Sequence, residues 1–199
     1  RARGLPRLAA RGGQGIGREG LARHRGSLLG DMPGGQPSQK GFETALAQAL
    51  HGLDPARPVL VEAESSKIGG LNLPPSLWDG MKAAPWIEIV APLEARARYL
   101  SEAYADILAN SAVLTQKLTP LRYHRGHALV DHWQDLMAQG DKVALCRSLA
   151  SDHYDPAYDK SMQAIAPRVL ARIETPGLRS VDLAALADRV TERIQSTSI

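Results

Sequence analysis

Two short, almost unbroken apolar runs, Val59-Leu60-Val61 and Trp86 to Val90, constrain the fold more than any other feature of the chain. A half-exposed strand alternates apolar with polar residues, whereas a run apolar nearly throughout is covered on both faces, as in a parallel sheet between helices. Around these runs the period changes. Phe42, Ala45, Leu46, Ala49, Leu50 and Leu53 recur at three-and-four spacing, which predicts a helix over 39–52 with Ser38 as its N-cap. Pro92 suits a first helical turn, and Leu93, Ala97, Leu100, Tyr104, Ile107 and Leu108 mark one face of a long helix after it. Further helices are predicted over 129–137 and, capped by Asp141, over 143–149. A strand over 168–173 and a helix capped by Ser180 close the order. The expected fold is α/β, a mainly parallel sheet flanked by helices, with a helical insertion between Leu93 and Pro167.

A chain of 199 residues, 44% apolar and 23% charged, suffices for one domain with a real core. Its formal charge of +3 and pI of about 9.2 suggest a nucleic-acid partner, but the charge is unevenly placed. Residues 1–25 hold seven arginines and one acid, Glu19, which leaves 17 basic and 20 acidic residues in 26–199. The bulk of the chain is therefore acidic, and RNA contact must come from local clusters. One cysteine, Cys146, excludes an internal disulfide and a cysteine-based zinc site, in keeping with a reducing, cytoplasmic location. No apolar run approaches the roughly 20 residues of a membrane helix.

Several polar runs are candidates for chemistry. Gly15-Ile16-Gly17-Arg18-Glu19-Gly20 has the spacing of a dinucleotide-binding turn, but no apolar strand is evident before it, and chance glycine enrichment explains it better. G-x-x-x-x-G-K-[ST] occurs nowhere. His124, His127 and His132 are spaced three and five apart, but Gly126 interrupts the helix and they read as surface or capping residues rather than metal ligands. The run Glu62-Ala63-Glu64-Ser65-Ser66-Lys67 follows a strand, where open α/β sheets bind ligands; its carboxylates would support a hydrated Mg²⁺ or else pair with arginines. Gly34 to Lys40 opens a helix, whose amides with Ser38, Gln39 and Lys40 make an anion site that Arg25 can clamp. Asp155 before Pro156 reads as an N-cap, with Tyr154 and Tyr158 as a surface on which an unpaired base could stack.

Four of these stretches, LARHRGSLLGDMPGGQPSQKGFE (21–43), PVLVEAESSKIGGLNLP (58–74), IEIVAPLEARARYL (87–100) and HYDPAYDKSM (153–162), resemble in order the C-terminal half of bacterial tRNA 2-selenouridine synthase. The resemblance implies a P-loop NTPase-like domain over 21–199, N-terminally truncated, whose parent also carries a rhodanese-like domain with a catalytic cysteine. It implies action on the wobble 2-thiouridine of tRNA: geranylation of sulfur from geranyl diphosphate, then replacement by selenium from selenophosphate. Arg25, Ser27, Gln36, Ser38, Gln39, Lys40, Ser65, Lys67, Arg96 and Arg98 would bind phosphate or substrate. Glu62 and Glu64 would support Mg²⁺, and Tyr154, Asp155 and Tyr158 would meet RNA. The partners implied are tRNA, the two phosphorylated co-substrates and the rhodanese-like domain, with no membrane. No resident cofactor follows beyond that Mg²⁺.

Residues 1–20 depart from the family pattern, offering neither the phosphate-cradling loop nor an evident strand, and their Arg, Gly, Ala and Pro would follow from GC-rich codons read out of frame. Cys146 does not match the catalytic cysteine and reads as a packed thiol. The chain alone is therefore expected to be inactive. Two rival readings are a kinase-like phosphoryl-transfer fragment and a non-catalytic RNA-binding module.

Overall fold

Apolar strand runs this short can pair only briefly, and the computed structural model, which describes residues 5–63 and 65–196, contains three two-stranded sheets rather than one continuous sheet. The elements fall into two units. The first holds residues 5–89, Pro167–Ile173 and 180–196; the second holds Val90–Ala166 and Glu174–Arg179.

In the first unit α1 (Leu5–Ala9) leads to β1 (Gln14–Ile16), which pairs in parallel with β2 (Val59–Val61), Gly15 opposite Leu60. This strand corrects the expectation of none before Gly17. A Cβ on Gly15 would lie 2.8 Å from the Leu60 carbonyl oxygen, so strand pairing explains this glycine of the dinucleotide-like spacing. Next come α2 (Arg18–Ala22) and α3 (Gln39–His51), the latter one residue shorter than predicted, with the Ser38 hydroxyl accepting from Gly41 N–H at 3.1 Å. A hairpin of β3 (Lys67–Ile68) and β4 (Leu71–Asn72) precedes α4 (Pro75–Ala83). Then β5 (Trp86–Val90) pairs with β6 (Val169–Glu174). Bonds from Trp86 N–H to Arg168 O and from Thr175 N–H to Val90 O progress the same way along both chains, so this pair too is parallel. The closing helix of the chain order runs Ser180–Gln195. Ser180 is its first residue, and its hydroxyl accepts from Arg7 at 3.1 Å. Phe42 and Leu46 of α3 bury their side chains against Ile16, Ala22, Ile68 and Leu71, so one core joins α2, α3 and the hairpin.

The second unit supplies the expected helical insertion. It contains α5 (Leu93–Ala103), α6 (Ala105–Leu108), α7 (Ser111–Leu118), a 3₁₀ turn (Thr119–Leu121), α8 (Arg122–Arg125), α9 (His127–Ala138), α10 (Lys142–Leu149), a π-helical turn (Ala150–Tyr154) and α11 (Asp155–Ile165); the Ser180–Gln195 helix is α12. The single long helix expected after Pro92 breaks at Tyr104, whose φ of −114° and ψ of 19° leave the helical region. Asp141 caps α10 as predicted, accepting from Ala144 N–H at 2.9 Å. Trp133 of α9 is 0% exposed and donates from its indole N–H to the Ser148 hydroxyl at 2.8 Å, tying α9 to α10. Among the described residues no helix is long and apolar enough to cross a membrane.

Candidate functional site

The 21–43 signature begins with a reversal. Arg23, the C-cap of α2, takes a left-handed conformation (φ 48°, ψ 47°), unusual for a non-glycine residue, and the N–H groups of Arg23 and His24 close on Gly20 O and Glu19 O. That turn sends His24 inward, to 4% exposure. Its Nδ1 accepts from Gly26 N–H at 3.0 Å and its Nε2 lies 3.2 Å from Asp31 Oδ1. Two backbone bonds, Arg25 N–H to Gly30 O and Gly30 N–H to Ser27 O, both 2.8 Å, fold residues 24–31 into a tight loop that carries Arg25 and Ser27. Gly30 must be glycine there, because a Cβ would approach His24 Cε1 to 2.7 Å.

Gln36, beyond the loop, ties α2 to the hairpin. Its amide N–H₂ donates to Ala22 O (3.2 Å) and Ile68 O (2.8 Å), and its Oε1 accepts from Gly70 N–H (2.7 Å), so one side chain joins α2 to the hairpin. Gln39 docks on β4 as a neighbouring strand would, accepting from Asn72 N–H at 3.0 Å and donating to Asn72 O at 2.8 Å. Of the residues expected to bind phosphate, then, Gln36, Ser38 and Gln39 have their polar atoms engaged within the fold. Arg25 and Ser27, both half-buried, lie on the 24–31 loop, and Lys40 is exposed in the first turn of α3.

The second motif joins the same region. Arg18, 1% exposed, donates to Ser65 O at 2.5 Å, and the Ser65 hydroxyl accepts from Lys67 N–H at 3.1 Å. Glu62 follows β2 with its carboxylate oxygens buried, and Glu64 lies outside the described residues. Among the described residues no three or more of His, Cys, Asp and Glu gather to hold a metal ion. Of the two carboxylates expected to support Mg²⁺, only Glu62 lies among the described residues. His124, His127 and His132 are all exposed.

The other candidates lie in the second unit. Arg96 makes a two-pronged bond with Asp155, 2.6 Å and 2.8 Å, which raises the arginine's pKa further and joins α5 to α11. Asp155 is not the expected N-cap. The chain enters α11 through a π-helical turn, with Tyr154 in the cap position and no side-chain cap bond. Arg98 is exposed, Tyr154 is half-buried with its ring edge-on to His153 at 4.8 Å, and Tyr158 is 45% exposed. His153 accepts at Nδ1 from Arg125 (3.1 Å); burial, then the Arg125 charge, lowers its pKa.

A cavity of about 430 Å³ also opens in the first unit, lined by Arg11, Gly13, Gln14, Arg57, Leu60 and Ile194 among others. Both arginines are engaged, Arg11 with Asp188 at 2.5 Å and Arg57 with Gly12 O, and no phosphate candidate lines it. The buried Cys146 is a packed thiol as expected, its pKa pushed up to about 11 by loss of solvent. At pH 8 only about one thiol in a thousand is then ionised. The folded chain should therefore resist a disulfide reagent that labels the unfolded chain at once; rapid labelling without unfolding would contradict this.

Sequence reasoning missed Arg18, Gly30 and Gly69, and gave His24 no role. An Arg-His-Arg triplet carries no sign of which side chain turns inward. Gly69-Gly70 between Ile68 and Leu71 was a legible signal of a two-residue hairpin turn.

Comparison with known proteins agrees with the signature. A family model described as the tRNA 2-selenouridine synthase AAA domain matches residues 7–134. Proteins named tRNA 2-selenouridine synthase are similar to the chain: that of Alcanivorax borkumensis is 36% identical over 76% of this chain and 50% of its own length, and that of Hahella chejuensis 34% over 81% and 50%. That of Cupriavidus pinatubonensis is 32% identical over 88% of this chain and 53% of its own. The chain thus spans about half the length of the curated relatives it matches. No solved structure matches it.

Proposed function

The chain belongs to the tRNA 2-selenouridine synthase family, and on that premise we propose that it forms the part of a tRNA-modifying enzyme that holds a phosphorylated co-substrate beside the wobble 2-thiouridine. The reaction has two parts in this reading. Sulfur takes a geranyl group as diphosphate leaves with the bonding pair; selenium of selenophosphate then bonds to the carbon bearing that sulfur, geranylthiolate leaves with the C–S pair, and water cleaves Se–P to release phosphate. Alkylation turns a poor leaving group into a better one. Both co-substrates present phosphate oxygens, which guanidinium, ammonium and backbone amides bind well. A rhodanese-like domain with its cysteine, and tRNA itself, are the partners this reading calls for.

The observation that carries it is the loop closed by His24, which holds Arg25 and Ser27, with Lys40 at the start of α3. Its bracing is internal, so the loop is ordered before any ligand arrives and little ordering entropy opposes binding. Ser65 and Lys67, in the same unit, remain secondary candidates for the same anion.

Titrations with geranyl diphosphate, inorganic phosphate, ATP and tRNA, run separately, test this. Arg25→Ala and Lys40→Ala should each weaken geranyl diphosphate about ten- to a hundredfold, the range of a lost charged hydrogen bond. Binding of ATP alone would favour the kinase-like reading, and of tRNA alone the RNA-binding module.

A further inference from the structure

Acid is absent from residues 107–130, which carry Lys117, Arg122 and Arg125 together with His124 and His127, although residues 26–199 as a whole hold more acidic than basic groups. In the middle of this stretch Tyr123 is 93% exposed, more than any other large apolar or aromatic side chain among the described residues. Folding gives no reason for that ring to be there. A tyrosine ring offers on the order of 150–250 Å² for contact, and here almost all of it meets water.

The setting is built. Tyr123 sits on α8, a single turn, and the His124 ring meets it edge-on with centroids 5.7 Å apart. The two arginines flanking it are held from behind. Arg122 bonds to Asp131 and, at 3.1 Å, to Gln134 Oε1; Arg125 bonds to His153 Nδ1 at 3.1 Å and His153 O at 3.0 Å. Gly126, at φ +86°, then turns the chain abruptly and places exposed His127 next. A protein partner would look for further exposed apolar residues around Tyr123. Its exposed neighbours along the chain are Thr119, Pro120, His124, Gly126, His127 and Ala128, none of them a large apolar side chain, and the charged groups beside it are mainly basic.

We propose that this turn of the helical unit is an RNA contact, in which Tyr123 stacks on an unpaired base and the Arg122–His127 segment meets the flanking phosphates. An aromatic face with cations beside it is how sequence-tolerant single-stranded sites are made. The inference rests on the tRNA reading above and adds to it a surface on the second unit, distinct from the loop at Arg25. It stands beside the contact expected at Tyr154, Asp155 and Tyr158, where Asp155 is bonded to Arg96 and the Tyr154 ring meets His153 edge-on.

Fluorescence anisotropy of the full chain with a labelled uridine-rich single-stranded oligoribonucleotide of roughly eight nucleotides, and with a duplex of the same length, tests it. Tyr123→Ala should weaken the single strand about five- to a hundredfold, Tyr123→Phe should stay within about twofold, and the duplex should not respond to either. Circular dichroism of both variants should match the parent, because the side chain contributes almost nothing to the core. Unchanged affinity in Tyr123→Ala, or equal weakening on duplex, would overturn the proposal, as would a parent chain that fails to bind the single strand. None of these outcomes touches the geranyl diphosphate titration, so the two readings fail separately.

Discussion

Alanine at Gly69 is expected to destabilise the first unit by about 3–5 kcal/mol, and with it to weaken the anion binding proposed for the 24–31 loop. Two effects add. The backbone at Gly69 has φ +61°, a left-handed conformation that costs an L-residue roughly 1–2 kcal/mol. The added Cβ would also stand 2.3 Å from Gln36 Oε1 and 2.8 Å from His24 Cδ2. Gln36 can yield only by releasing Ala22 O, Ile68 O and Gly70 N–H, and each buried group left without its partner costs about 1–3 kcal/mol. Denaturant unfolding measures the loss. The clash predicts a signature of its own: in Gly69→Ala combined with Gln36→Ala the two losses should fall short of additivity by about 1 kcal/mol or more. Full additivity would show that Gln36 is not what the methyl group meets.

Trp133→Ala should be comparably severe in the second unit, about 3–5 kcal/mol, because the largest side chain of that core leaves a cavity that neighbouring helices cannot close. The indole bond to Ser148 is lost as well, but the Ser148 hydroxyl keeps Asp152 at 2.6 Å, so this part is small. Trp133→Phe separates the two contributions. It keeps most of the ring volume and should cost about 1–2 kcal/mol. A loss as large as that of alanine would mean that the hydrogen bond, not the packing, holds α9 to α10.

Where structure follows from neighbours in sequence, the chain was readable. Helix α3 with Ser38 and helix α10 with Asp141 declare their starts through a capping residue and their course through an apolar face. Strand β1 does not, because Gln14-Gly15-Ile16 offers one apolar side chain in three, and its pairing with β2 depends on residues more than 40 positions away. The continuous parallel sheet was over-read from two apolar runs that each find a single partner. At the site, residue types were legible and their directions were not. Gln36 and Gln39 look like phosphate ligands in sequence, since an amide suits either an anion or a backbone; the structure turns both towards backbone. Asp155 looked like a cap because Pro156 follows it, but the π-helical turn before it removes the vacant amides a cap would serve and leaves the carboxylate to Arg96.

The order in which the first unit is threaded bears on how the chain is made. Arg7 of the opening helix bonds to Ser180 across 173 positions, and Arg11 to Asp188 across 177, while β5 waits about 80 residues for β6. During synthesis all of α5 to α11 therefore leaves the ribosome before the first unit has the pieces that complete it. The early segment must stay soluble with β5 unpaired through that interval, which is when such an edge is prone to pair wrongly. The helical unit, built almost wholly from one uninterrupted stretch, has no such wait. Shortening the chain from its far end should thus damage the beginning before the middle, and a released chain ending near residue 166 should protect α9 and α10 from protease while α1 is still cut.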